Sequence, residues 1–398
     1  MNSQGSSPGF FSPSALASAR RLFPHIRKGM IFLNHAGTSP LSTRVLNAMH
    51  DYLRKRSEGE IDTYRSDLAM VGELKGIIAR MINAESPDRI ALTASTTDAI
   101  NIVATGLSWK TGDRVLLNTA EFPANVWPYL HLKRFGVEID SIPSVNGAVT
   151  PAMVSGALTP RTRLVGMSAV QFLSGYRADL ETIGEICRER DVVFAVDGIQ
   201  AVGAVRVDVQ RMKIDALSAG GEKWQMSPHG TGFLYITEQL QSRAQNAALG
   251  WLAVQEPWEF YNFSQSVART ARRYEGGSQV MPSLWGMHAA LSTLLEFGTE
   301  AIESHILALT GLLRERLTAL PGVSFITPRE DERRAGIVTI EPPPGVCTET
   351  VMAKLVERNI HPAVREGKLR YSPHFYNSAE EIETTAAATR ECVATLTT

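Results

Sequence analysis

The sequence predicts an α/β protein: a large domain on a mostly parallel seven-stranded sheet, followed by a smaller C-terminal α+β domain. Three observations predict it. Between residues 89 and 236, seven short β-rich runs alternate with amphipathic segments. These runs are continuously apolar, the pattern of strands covered on both faces. After about residue 282 the alternation stops, and long helical stripes with a few short strands take over. A chain of 398 residues also exceeds what one hydrophobic core usually organises. The expected division is an N-terminal segment (1–30) partly packed on the small domain, a large domain (31–282) and a small domain (283–398).

Residues 1 to about 14 are rich in Ser, Gly and Pro and are expected to be frayed. The expected strands are RIALT (89–93), RVLLN (114–118), VEIDSIP (137–143), RLVGMS (163–168), VVFAV (192–196), DALSA (215–219) and GFLYI (232–236). Between them lie amphipathic stretches such as ADLETIGEICRERD (178–191), with arginines in its last turn. Beyond residue 282, Ile302, Ile306, Leu309, Leu313 and Leu317 form one helical stripe. GIVTIEP and KLRYS read as short strands, and Ser378 with Glu381 has the spacing of a capping box opening the last helix.

Composition narrows the function. Hydrophobic residues make 44% and charged residues 20%, ordinary for a globular protein, and the net charge of −1 carries no nucleic-acid footprint. The basic stretch from Arg20 and Arg21 to Arg27 and Lys28 reads as a solvated face. Three scattered cysteines (Cys187, Cys347, Cys392) suit neither a disulfide framework nor a metal site, so a reducing cytoplasm is expected. The nine histidines show no HxH or HExxH, and no metal is expected. No signal peptide and no membrane-spanning stretch is evident.

The strongest chemical signal is AVDGIQAVGAVRVDV followed by DALSAGGEKWQMSPHGTGFLYI. Asp197 closes an apolar strand at the edge where open α/β sheets bind ligands. A carboxylate there is poorly solvated and wants a cation. Lys223 follows a second strand and two glycines, beside Trp224, a setting that can lower a lysine's pKa enough for imine formation. Taken singly, Asp197 is equally a turn former and Lys223 a solvated lysine; the pair carries the signal. In TASTTDAIN, Ser95, Thr96 and Thr97 open a helix and offer hydroxyls and N–H groups to a phosphate, though Ser and Thr are also ordinary caps. Phe122, after RVLLN, lies at the same edge and suits either ring stacking or core packing. Arg370 on KLRYS can grip a carboxylate or make a surface ion pair. No GxGxxG, P-loop or GxSxG motif is present.

The series FLNHAGTSPLS, STTDAIN, EFPANVWPY, VDGIQAVGAVRVDV, GGEKWQMSPHGTGFLYI, RRYEGGSQ and LRYSPHFYN resembles the class V aminotransferase family, which includes cysteine desulfurases, isopenicillin N epimerase-like proteins and C–S lyases. The resemblance covers roughly residues 30 to 390. It implies the fold-type I arrangement of enzymes that use pyridoxal 5′-phosphate (PLP), and a homodimer with sites at its interface. By resemblance, Lys223 is the Schiff-base lysine, Asp197 the partner of the pyridine nitrogen, and Gln200 a neighbour of the ring's phenolic oxygen. Thr96 and Thr97 hold the phosphate, and Ser278 reaches the phosphate of the neighbouring subunit. Phe122 lies near the ring, Asn34 and His35 line the substrate side, and Arg370 binds the substrate α-carboxylate.

Three departures from the family pattern stand out. Glu222 precedes the lysine where His or an aromatic is common; near a phosphate it is repulsive, and it is expected to turn away or pair with a cation. The stacking histidine is replaced by Phe122-Pro123. Between AVR and LRYS, where a desulfurase carries its nucleophilic cysteine, stands only Glu366-Gly367-Lys368. Cys347 lies upstream and is expected to be a small buried apolar group. The resemblance therefore implies transamination or C–S lyase chemistry on an α-amino acid, with Lys223 moving the α-proton. The alternatives are desulfurase-like or epimerase activity, or a PLP-fold scaffold without turnover.

Overall fold

The computed structural model describes residues 9–145, 147–245 and 248–396. Its seven-stranded sheet contains β2 (Ile90–Thr93), β3 (Arg114–Asn118), β4 (Glu138–Ile142), β5 (Thr162–Ser168), β6 (Val193–Asp197), β7 (Ala216–Gly220) and β8 (Gly232–Ile236), after a short β1 (Ile31–Phe32). The spatial order is β2-β8-β7-β6-β5-β3-β4. All neighbours are parallel except β8, which runs antiparallel to β7 and β2. The seven expected runs are these strands, with ends shifted by a residue or so.

The central strands β6, β7 and β8 are buried on both faces, which is why they read as unbroken apolar runs, whereas the edge strand β4 exposes Glu138 and Ser141. Successive residues feed opposite cores. Phe194 and Val196 of β6 join the cluster containing Leu74, Ile78 and Leu291, whereas Val193 and Ala195 join the one containing Ile100, Val103 and Leu240. A one-residue slip of β6 would exchange these two sets, so the register that places Asp197 is set by packing on both sides.

The C-terminal part pairs β9 (Ser324–Phe325), β10 (Val338–Glu341), β12 (Ala363–Arg365) and β13 (Lys368–Tyr371) in the order β12-β13-β10-β9, all antiparallel. β11 (Ile360–His361) pairs parallel with β1. The helix Thr299–Thr318 buries Ile302, Ile306, Leu309, Leu313 and Leu317, the stripe expected from its period. The last helix, Ala379–Ala394, opens with both arms of the capping box between Ser378 and Glu381.

Order begins earlier than the composition of the N-terminus suggested. The helix Pro13–Arg21 is capped by Ser12 and carries Pro13 in its first turn. The Phe11 ring stacks on His305 with centroids 4.6 Å apart, and its N–H donates to His305 Nδ1. Arg20 is no solvated charge either: it pairs with Glu381 at 2.8 Å. Residues 1–8 of the stretch expected to fray lie outside the described residues. No helix among the described residues is long and apolar enough to cross a membrane.

Candidate active site

The C-terminal ends of β6 and β7 open on a cavity of about 330 Å³, walled also by the start of the helix Thr96–Gly106 and by the β12–β13 hairpin. Thr96, Thr97, Phe122, Asp197, Gln200, Lys223 and Arg370, seven of the ten residues expected in the site, face it.

Asp197 is the last residue of β6, 2% exposed, with one oxygen accepting the Ile199 N–H at 2.9 Å. Burial, followed by the negative Glu121 and Glu222 against the Ile199 N–H and Lys223, pushes its carboxyl up to about 7. A buried acid this basic is matched to a cation brought by a ligand. Lys223, across the cavity, is held below the ordinary lysine value, first by burial, with Arg370 and Arg365 reinforcing and Asp197 and Glu222 opposing. The shift favours the neutral, nucleophilic amine. Its Nζ lies 5.4 Å from the Phe122 ring centroid, and Phe122 in turn meets Phe172 edge-on at 5.3 Å. Phe122 therefore lines the cavity and does not belong to the core.

Packing sets the lysine's position. Trp224, wholly buried, donates its indole N–H to Gln200 Oε1 at 2.8 Å, while Gln200 Nε2 donates to the Ala36 carbonyl at 3.0 Å. Gly203 is required beneath it: with φ +100, a Cβ there would stand 2.3 Å from the Trp224 carbonyl oxygen. At the opposite end, Ser95 caps the helix through the Asp98 N–H, and the Thr96 hydroxyl accepts from the Gly220 N–H at 2.8 Å. That leaves the hydroxyl hydrogen of Thr96 and the free N–H groups of the first turn to meet an anion.

Arg370 is 1% exposed. It donates to the Phe172 carbonyl at 2.7 Å and to Asn34 Oδ1 at 3.4 Å, while its Nε has no partner. Among the described residues no carboxylate pairs with it, and burial together with the neighbouring Arg365 charge lowers its pKa to about 9. An interior guanidinium so placed calls for an external anion.

Several expectations are corrected. His35, expected on the substrate side, is fully buried, bonded through Nδ1 to the Ser372 carbonyl (2.7 Å) and through Nε2 to the Tyr376 hydroxyl (2.8 Å); Ala36 and Gly37 line the cavity in its place. Asn34 acts on Arg370 and is not part of the cavity wall. Ser278, expected to serve the neighbouring subunit, is not among these corrections: within its own chain it borders a separate groove of about 630 Å³ with Leu53, Leu68, Trp251 and Val280. Cys347 is exposed, with Sγ 3.3 Å from Glu349, since it stands just ahead of the helix Thr348–Glu357 and not inside the core. Glu222 does not turn away but lines the cavity, and among the described residues no cation pairs with it. Sequence reasoning missed Phe172 and Arg365, both in the wall. Arg365 had a signal: Glu366 and Gly367, both at positive φ, form a two-residue hairpin turn that sets Arg365 opposite Lys368.

Comparison with known proteins agrees with this geometry. The aminotransferase class-V family model matches residues 31–384. A probable cysteine desulfurase of Methanothermobacter thermautotrophicus is 28% identical over 388 residues, covering 92% of this chain and 94% of that protein. The apo structure of a cysteine desulfurase from Thermococcus onnurineus NA1 superposes with a TM-score of 0.86 at 24% identity, covering 96% and 98% of the two chains. The cystine C–S lyase C-DES, solved with its product cysteine persulfide, gives a TM-score of 0.83 at 26% identity over 93% and 99%.

Proposed function

The chain belongs to the aminotransferase class-V family, and from that premise we propose that it is a PLP-dependent enzyme acting on an α-amino acid by C–S lyase or aminotransferase chemistry. One observation carries the reading: a depressed lysine amine, a buried basic carboxylate, an anion seat and an unpaired guanidinium face one cavity large enough for a small cofactor and its substrate. The residues fit the cofactor end to end. Lys223 would hold its aldehyde carbon, Asp197 its ring nitrogen, Thr96 and Thr97 its phosphate, with Phe122 and Gln200 beside the ring.

When bound, PLP supplies an electron sink for charge developing at the substrate Cα. The chain's own residues do the rest. Arg370 fixes the substrate carboxylate, and Asn34 fixes Arg370. The Lys223 amine would be the base for the substrate α-proton, and burial, which lowers its pKa, favours the neutral form that this task needs. Asp197 stays ionised against the ring nitrogen. A substrate with a leaving group on Cβ would be open to elimination, and one without it to transamination.

Persulfide formation on the protein is disfavoured because the segment that would carry the cysteine is the tight Glu366-Gly367 turn. An assay of sulfide, pyruvate and keto-acid release from a panel of amino acids including cysteine and cystine tests the reading. Protein-bound persulfide lost in Cys347→Ala would replace it with a desulfurase. Arg370→Ala is expected to raise KM about 10- to 100-fold, the weight of hydrogen bonds to a charged group, with a smaller change in kcat. An unchanged KM would place the carboxylate elsewhere.

The dimer belongs to the same proposal. Leu53, Leu68, Trp251 and Val280 are exposed around the groove that contains Ser278, and the exposed Trp258 meets Trp251 edge-on. An apolar patch of this kind is covered in a stable protein, and we assign the cover to a second copy of the chain. Sedimentation of the cofactor-loaded protein should give twice the chain mass; a monomer at micromolar concentration would remove Ser278 from the site.

A further inference from the structure

Glu222 is placed where an anion would be least expected. A Cβ built on Gly220 would stand 2.6 Å from Glu222 Oε2 and 3.0 Å from Thr96 Oγ1, so carboxylate and hydroxyl flank the same bare Cα. Both line the cavity together with Ser95 and Thr97, at the helix start that forms the anion seat. The residue is fixed at its base. Its carbonyl accepts from the Ser39 N–H at 2.9 Å, the preceding Gly221 N–H donates to the Thr231 carbonyl at 2.8 Å, and Trp224 beyond Lys223 is wholly buried. The carboxylate itself has no hydrogen bond or ion pair among the described residues.

The charged groups around it come from every wall. Lys223 follows it in the loop, Asp197 ends β6, and Arg365 and Arg370 reach in from the hairpin, while Asp98 in the first helical turn is exposed. Glu222 acts electrostatically on both Asp197 and Lys223. The arginines reach in from β12 and β13, whereas the phosphate seat is at the helix start, where Glu222 Oε2 and Thr96 Oγ1 flank Gly220. There an arriving phosphate meets N–H groups, the Thr96 hydroxyl and one carboxylate. Two adjacent anions in a partly desolvated site repel strongly, and a single shared proton turns that repulsion into an O–H···O⁻ hydrogen bond.

We propose that Glu222 contacts the cofactor phosphate directly and makes cofactor binding proton-coupled: its carboxyl takes up one proton from solvent as the phosphate arrives and donates it to a phosphate oxygen. This rests on the PLP reading of the cavity. No bond other than the O–H bond forms or breaks, and the bound pair carries one proton more than its separated members do above about pH 6, the second pKa of a phosphate monoester.

The sign follows. The paired form binds the extra proton, so affinity is highest in mild acid and is lost as pH rises, about tenfold per unit above pH 6.5. A seat built only from N–H groups and hydroxyls does the reverse, holding the dianion with constant affinity over that range.

The test is the dissociation constant of apoprotein for PLP between about pH 6.5 and 8.5, read from tryptophan quenching, relative to that for pyridoxal. Pyridoxal lacks the phosphate and therefore reports the pH dependence contributed by Lys223 and Asp197. In the unmodified protein the preference for PLP should fall about tenfold per pH unit; in Glu222→Gln it should be flat, and at pH 8 stronger by about 10- to 100-fold. Calorimetry in buffers of different ionisation enthalpy should find about one more proton taken up with PLP than with pyridoxal, a readout that needs no variant. A flat preference or equal proton uptake in the unmodified protein overturns the proposal. Failure of PLP to bind at any pH, with nothing trapped on Lys223 by borohydride, overturns the cofactor reading itself.

Discussion

Lys223→Ala is expected to abolish borohydride trapping of the cofactor on the chain and to lower turnover by at least about 10²- to 10⁴-fold, the range of a positioned general base. The size of the effect follows from how the amine is held. It stands among Asp197, Glu222, Arg365 and Arg370, and burial favours its neutral form. No other lysine lines the cavity, so none can replace it. The fold should survive, because among the described residues the lysine side chain makes no hydrogen bond, and Trp224, Gln200 and the Gly221–Thr231 contact shape the loop without it. Absorbance with and without borohydride, followed by peptide mapping, checks the assignment. A trapped cofactor on another lysine would show that the loop after β7 is not the attachment point. Lys223→Arg should retain the positive charge but not turnover, since a guanidinium stays protonated and offers no free amine to form an imine or take a proton.

How legible this was in the sequence depended on whether a residue's task is set by its own strand or by the rest of the fold. β6 and β7 are continuous apolar runs, and Asp197 and Lys223 follow from where those runs stop. Thr96 and Thr97 follow from a strand ending just before a helix start. Phe122 was ambiguous because a loop aromatic carries no periodic signal, and only the tertiary contact with Phe172 and Lys223 decides it. His35 was misplaced for a related reason. The segment Asn34–Gly37 does run along the cavity, but which side chains face inward depends on Ser372 and Tyr376, more than 330 residues away in the chain. Residue type misleads at Cys347 and Glu222: a thiol suggests a small buried apolar group, and a carboxylate near a phosphate suggests one that turns away or pairs with a cation. In both cases the backbone sets the outcome: Cys347 stands at a helix start, and Glu222 lies in the loop between the Gly221–Thr231 contact and the buried Trp224.

Asp197→Asn should lower turnover by about 10²- to 10³-fold, the cost of losing one preorganised charge contact, while changing the stability of the cofactor-free protein in the opposite sense. The reason lies behind the carboxylate. Ser168 on β5 is its register partner, and Ser168 donates its N–H and hydroxyl to Glu121, which also accepts from Asn118 and Asn125. Four neutral donors and no cation hold Glu121, so its charge is felt by Asp197 and adds to burial in raising the Asp197 pKa to about 7. The folded value is thus raised above an unfolded value of about 3.9. Stability from this group is complete below pH 4 and is lost as pH rises through 7, because the folded state must then give up a proton it binds more tightly than the unfolded chain does. The asparagine variant carries no such charge, and without cofactor it should melt several degrees above the unmodified protein at pH 8 and no higher than it at pH 4. With cofactor bound the order should reverse at pH 8, since only the carboxylate can pair with a protonated ring nitrogen. Melting curves of both forms at the two pH values check this. If apo Asp197→Asn is the less stable form at pH 8, the carboxylate already has a cation partner within the protein and is not waiting for one.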